Sequence, residues 1–157
     1  MNTKPKRIYI DSSVVYGAPT KEFSEDSKRF WDTVRNGEFT LIVSDVLEKE
    51  LKRSPAYVRM LFAKLPEPQI EQIVSTSESN DLAERYITEG VVDVANIDDC
   101  RHIAIATIHR ADALVSWNFR HMIYRRAGYN DVNKKLGYPG IEILTPKQLM
   151  EVSHDET

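Results

Sequence analysis

Apolar residues along the chain fall into short β-rich runs and helical stripes that alternate. Arg7-Ile8-Tyr9-Ile10 reads as a strand that stops at Asp11-Ser12-Ser13. From Ser24 to Asn36, Phe30, Trp31 and Val34 recur at helical spacing, and Gly37 closes the segment. Phe39 to Val43 predicts a second strand, ended by Ser44, and a helix carrying Leu47 and Leu51 follows. Pro55 suits the first turn of another helix running to Leu65, with Pro66 and Pro68 beyond it. Gln69 to Val74 reads as a short strand, and Asn80 to Glu89 as a helix ended by Gly90.

Asp98-Asp99 then opens a helix from Cys100 to Arg110 whose interior, Ile103-Ala104-Ile105-Ala106, is apolar on nearly every side. A helix of that kind packs within a core. Ala113-Leu114-Val115 predicts a buried strand ending at Ser116-Trp117-Asn118, with a helix over roughly Phe119 to Ala127. Ile141 to Leu144 reads as a last strand, and Thr145-Pro146 starts a last helix. This alternation predicts one α/β domain, three-layer α/β/α with a mainly parallel central sheet. Its core is expected over about 7–145, with a short C-terminal helix and tail over 146–157.

Composition narrows the class. A chain of 157 residues, 41% hydrophobic, is long enough for one substantial core. Its apolar runs fall far short of the ~20 residues of a membrane helix, and the residues before Asp11 hold no signal-peptide core. Cys100 is the only cysteine, so no internal disulfide is expected. His102, His109, His121 and His154 include no i, i+4 pair, which leaves no zinc spacing. The expectation is a soluble cytoplasmic domain.

Charge at first speaks against nucleic acid: 21 Lys+Arg against 24 Asp+Glu give −3. The segment from Asp98 to Tyr138 departs from that average, with seven basic residues against four acids. His102, His109, His121, Trp117 and Tyr124 are interleaved with them. Basic residues mixed with aromatics suit single-stranded RNA, although the same composition also describes a solvated helical face. Arg120, Arg125 and Arg126 follow a strand end and are the phosphate-contact candidates.

Ligands of open α/β sheets bind beyond the carboxyl ends of the strands, and polar residues fall at three such ends. Asp11 follows the first strand, where an aspartate also serves as an ordinary turn former. Leu47, Glu50, Leu51 and Ser54 share one helical stripe, so Glu50 is expected at the edge of the buried face. Glu48, rotated by ~200°, is expected in solvent. A carboxylate on an apolar stripe is paired, binds a cation, or packs its stem while its head reaches water. Asp98 and Asp99 stand where capping and the helix dipole favour acids, and periodicity does not separate them.

Ile8-Tyr9-Ile10-Asp11-Ser12-Ser13, Ser44 to Leu51, Asp99 to Ala106 and Leu114 to Phe119 occur in an order that resembles the PIN domain family, over nearly the whole chain. Trp117-Asn118-Phe119-Arg120-His121 and Leu136-Gly137-Tyr138-Pro139 are most similar to prokaryotic VapC-type toxin ribonucleases. The resemblance implies a ribonuclease whose clustered acids hold Mg²⁺ or Mn²⁺. Asp11, Glu50 and Asp99 match the family's first three acids, and Asn118 falls where many members carry a fourth Asp. Ser116, with Ser12 or Ser13, matches its small hydroxyl positions. An amide at Asn118 adds no charge, which weakens the case for a second ion. The resemblance also implies a homodimer and a small antitoxin partner, with no membrane.

Other readings have specific tests. Phosphoaspartate hydrolases need Asp-x-Asp after the first strand, and Ser13 stands at the second position. Receiver domains need paired N-terminal acids and a late lysine, which are absent from the expected places. A catalytically weak RNA- or protein-binding module is favoured by Asn118. A stand-alone RNA-processing nuclease without an antitoxin is the remaining alternative, and a plain interaction domain rests only on the acidic balance.

Overall fold

Five parallel strands form one sheet in the computed structural model, which describes residues 6–52 and 56–155. They are β1 (Lys6–Ile10), β2 (Phe39–Ser44), β3 (Ile70–Ile73), β4 (Ala113–Val115) and β5 (Ile143–Leu144), in the order β3-β2-β1-β4-β5. The helices are α1 (Ser12–Tyr16), α2 (Ser24–Arg35), α3 (Asp45–Leu51), α4 (Ala56–Ala63), α5 (Ser77–Thr88), α6 (Ile97–Ile108), α7 (Arg126–Lys135) and α8 (Pro146–Asp155). The expectations placed on Ser54 and Pro55, and on the first five residues, lie outside the described residues.

Alternation along the strands divides the core into two layers. Ile8 and Ile10 of β1, with Leu41 and Val43 of β2, pack against Phe30 and Val34 of α2 and Leu149 of α8. Tyr9, Ile42 and Leu114 face the other way, onto Leu82 and Tyr86 of α5, Ile103 of α6 and Tyr129 of α7. Helices on both faces are what a parallel sheet requires. Residues Cys100 and 102–107 of α6 are all buried, as its apolar sequence predicts.

At three boundaries that differ from the sequence expectation, a polar side chain takes over backbone partners. The helix predicted over Phe119 to Ala127 is a compact turn, in which Met122 and Ile123 donate their N–H groups to the Asn118 carbonyl. The His121 N–H goes to Asn118 Oδ1 at 3.0 Å, and the helix proper begins only at Arg126. The strand predicted from Ile141 shortens because Asn130 takes both backbone groups of Ile141. α5 starts at Ser77, ahead of Asn80, through a capping box between Thr76 and Ser79. A fourth boundary shifts without a side-chain cap: α6 starts at Ile97 with Asn96 at its N-cap, so Asp98 and Asp99 lie within its first turn.

Candidate active site

The strand order turns at β1: the chain leaves it on one side to β2 and β3, then crosses to β4 on the other. Such a switch point opens a crevice at the carboxyl ends of the two strands. Asp11 follows β1 directly and Ser116 follows β4. Asp11 is 4% exposed. Ser13 Oγ donates to its Oδ1 at 2.6 Å, and Ser116 Oγ donates to its Oδ2 at 2.6 Å. Both hydroxyls are fixed in turn by backbone donors, Trp117 N–H on Ser13 at 2.8 Å and Asn118 N–H on Ser116 at 2.9 Å. The Val14 N–H adds a 3.4 Å cap at the start of α1, so Asp11 forms a turn and also presents a clamped carboxyl. Burial pushes that carboxyl above its ordinary range, against the pull of His102 and the serine hydroxyls.

α6 brings Asp99 to the same crevice. Asn118 Nδ2 donates to Asp99 Oδ2 at 3.2 Å, while its Oδ1 is held by the His121 N–H. Both ends of the amide are therefore engaged, and Asn118 orients Asp99. Burial raises the Asp99 carboxyl, and the charges of Asp11 and Glu50 raise it further while His102 and His121 oppose them. Asp98 is exposed and pairs with Arg101 at 2.6 Å. The two neighbouring aspartates thus face different surroundings, which periodicity left open.

Glu50 is half-buried beside Leu47 and Leu51, and Glu48 is exposed, as the stripe predicts. Its partner is a residue that the sequence reading did not place in the site. His102 Nε2 meets Glu50 Oε1 at 2.5 Å. His102 Nδ1 lies 2.6 Å from the Tyr9 hydroxyl, itself 2.6 Å from Ser44 Oγ, which accepts the Leu47 N–H at the start of α3. Burial works to raise the Glu50 carboxyl, but the hydrogen bond and charge of His102, helped by Ser12, bring it below its ordinary value. Burial works to lower His102, and Glu50, Asp11 and Asp99 together raise it. The available signal was a titratable ring inside an apolar helix, three residues beyond Asp99, because a buried polar ring needs partners.

A cleft of about 450 Å³ opens beside Glu50, lined also by Asp45, Lys49, Asp98 and Arg101. Around the loop after β4, Arg120 and Arg125 are exposed. Arg126 is exposed too, but its Nη1 donates to the Ile143 carbonyl at 3.0 Å and ties α7 to β5. Trp117, considered above among the aromatics for RNA, is 4% exposed and packs on Phe23 and Phe119. Tyr124 is 74% exposed, with its ring tilted against Phe119 at 5.8 Å.

All of the candidate donors are oxygens, which suits a hard cation. Among the described residues, no three His, Cys, Asp or Glu side chains converge closely enough to hold one ion as they stand. Mg²⁺ is commonly bound by one or two carboxylates, with water and substrate filling the other positions. Asp11, Asp99, Glu50 and Asn118 all carry hydrogen bonds, and each keeps an oxygen lone pair for a cation.

No family model and no curated protein matches the chain. A crystal structure of tyrosyl-tRNA synthetase from Aeropyrum pernix is similar in fold, with a TM-score of 0.51 and 12% identity over 89% of this chain and 52% of that one. This chain thus spans about half the length of that structure. The likeness bears on the fold alone, a three-layer α/β/α arrangement around a parallel sheet. No described helix is long and apolar enough to cross a membrane.

Proposed function

We propose that the chain is a divalent-metal-dependent endoribonuclease of the PIN type, hydrolysing phosphodiester bonds of single-stranded or structured RNA. The observation that carries this reading is Asp11, a buried carboxyl at the sheet's switch point, held through both oxygens by Ser13 and Ser116. Asp99 and Glu50 stand close enough for their charges to affect one another. Burying three acids together is costly unless a cation or protons compensate them.

In this reading Asp11 and Asp99 would hold Mg²⁺ or Mn²⁺. The bound ion makes water more acidic and offsets charge on the phosphate. The serine pair fixes Asp11, and Asn118 fixes Asp99. Glu50, kept ionised by His102, would bind the ion or orient the attacking water. Arg120 and Arg125 contact phosphates, and Tyr124 stacks a base.

A role as the toxin of a toxin–antitoxin pair, acting as a homodimer under a small antitoxin, is supported by the resemblance of Trp117 to His121 and of Leu136 to Pro139. A short antitoxin frame beside the gene supports that role, and its absence favours a stand-alone processing nuclease. A second reading, a module that binds RNA without cutting it, is favoured by the engaged Asn118 amide. An RNA-cleavage assay with Mn²⁺, with EDTA, and with Asp11→Asn separates the two. Metal-dependent cleavage that disappears in the variant supports the nuclease; cleavage that survives Asp11→Asn sinks it. Mn²⁺ and RNA binding without cleavage favours the binding module.

A further inference from the structure

We propose that the cleft beside Glu50 seats an unpaired nucleotide next to the bond being cut, with Lys49 and Arg101 on its phosphate and Asn80 on its base edge. The cleft, about 450 Å³, lies between α3, α5 and α6. Val46, packed on the core beneath α5 and α6, gives it an apolar wall. That volume is within the range of small-ligand sites and leaves room for a nucleotide, not for a helix. A duplex keeps its bases stacked and their edges paired, so the cleft selects single-stranded RNA.

The acids around the cleft already have partners. Asp45 accepts the Ser75 N–H at 2.8 Å on one carboxylate oxygen and the Ser75 hydroxyl at 2.7 Å on the other. These two bonds join the start of α3 to the segment after β3, so the wall they form is set before a ligand arrives. Asp98 accepts from Arg101 Nη1 at 2.6 Å. The Lys49 ammonium and the Asn80 side-chain amide, by contrast, have no partner among the described residues. Arg101 keeps further N–H donors beyond the one given to Asp98. The unspent groups are therefore chiefly cationic donors, with one amide able to donate and accept. That set fits one phosphate and one base edge.

The place of the cleft in the fold gives its occupant. Asp45 follows β2 and Ser75 lies just beyond β3, while Asp11 follows β1 and Asn118 lies just beyond β4. With the strand order β3-β2-β1-β4, these groups form one row along the carboxyl edge of the sheet. Glu50 lines the cleft and also stands beside the acid crevice, and of two neighbours on α6, Asp98 lines the cleft while Asp99 meets Asn118. A chain held at the acids and at Arg120 enters the cleft when continued across β1 toward β2, a step of ~5 Å per strand. That the occupant is RNA rests on the ribonuclease reading.

The test uses the full chain in EDTA at low salt, with short labelled strands of A, C or U followed by fluorescence anisotropy. Single strands are expected to bind at least ~10-fold tighter than the same sequences paired with their complements. Lys49 and Asn80 are both exposed, so their alanine variants should fold, which thermal unfolding checks. Lys49→Ala should weaken binding of all three strands ~5-fold and lower the slope of log affinity against log salt by about 1. Asn80→Ala should keep that slope and shrink the preference among the three strands ~5-fold. The side-chain ¹⁵N–¹H signals of Asn80 should also move when a strand is added to the wild type. Unmoved Asn80 signals overturn the proposal, as does unchanged binding in both variants or a duplex bound as tightly as a single strand. Cleavage with Mn²⁺ is measured in parallel. Binding as expected without cleavage upholds the cleft and sinks the ribonuclease reading; cleavage with both variants binding like wild type does the reverse.

Discussion

Glu50 Oε1 and His102 Nε2 meet at 2.5 Å across 52 residues of chain, joining α3 to α6 beside the acid crevice. The carboxyl is held below its ordinary value and the imidazole above it. Each therefore favours the charged form of the other, and the sign of the pH dependence follows.

The Glu50 contribution to stability is fully present above the unfolded value of 4.5 and is lost as pH falls through the lower folded value. The His102 contribution is fully present below 6.5 and is lost as pH rises through the higher folded value. The advantage of wild type over His102→Gln in thermal unfolding is thus greatest between those two values and shrinks on either side. Calorimetry across this range checks it; a difference independent of pH contradicts the pair.

Asp11→Asn is expected to raise stability while abolishing function. The buried carboxyl is costly in its ionised form, and the amide carries no charge. The melting temperature should rise by about 2–4 °C, equivalent to ~1 kcal/mol at this length. Metal-dependent cleavage should fall at least about a hundredfold. Mn²⁺, which stabilises the wild type by binding the folded state, should no longer do so.

The three arginines after β4 separate by readout. Arg120→Ala and Arg125→Ala should weaken RNA binding and each lower the slope of log affinity against log salt by about 1. Arg126→Ala should lower folding stability by about 1 kcal/mol through loss of its bond to Ile143. Binding titrations at several salt concentrations, with denaturant unfolding in parallel, distinguish the two behaviours.

Away from the crevice, the Tyr86 hydroxyl donates to Asn133 Oδ1 at 2.6 Å, and Asn133 reaches Thr107. Tyr86→Phe leaves a buried carbonyl oxygen short of that donor and should cost about 1–3 kcal/mol. Cleavage under folded conditions should be unchanged, which makes this variant a control for stability losses near the site.

The parallel sheet, the apolar α6 and the stripe bearing Glu50 were legible because burial imposes a period on sequence. Asp11 was legible because a strand ended on it. What escaped was polar and local: Asn118 folding its own turn, Asn130 capturing Ile141, and the Thr76–Ser79 capping box. α7 escaped because only Tyr129 and Val132 are its buried apolar residues, too few for a stripe. His102 escaped because its partners, Tyr9, Ser44 and Glu50, come from three other elements. The partners of Asn118 escaped for the same reason, since sequence gives the amide but not the atoms it bonds.

β1 lies in the middle of the sheet, bonded to β2 on one edge and β4 on the other. Amides in such a strand exchange with solvent only when the whole domain opens. Asp11 therefore keeps its place for as long as the chain is folded. Glu50 rides instead on a helix of seven residues anchored by Leu47 and Leu51, an element able to open by itself. Deuterium should enter α3 well before β1. The Asp11 side of the crevice is then permanent, while the Glu50 side assembles and disassembles within the folded lifetime.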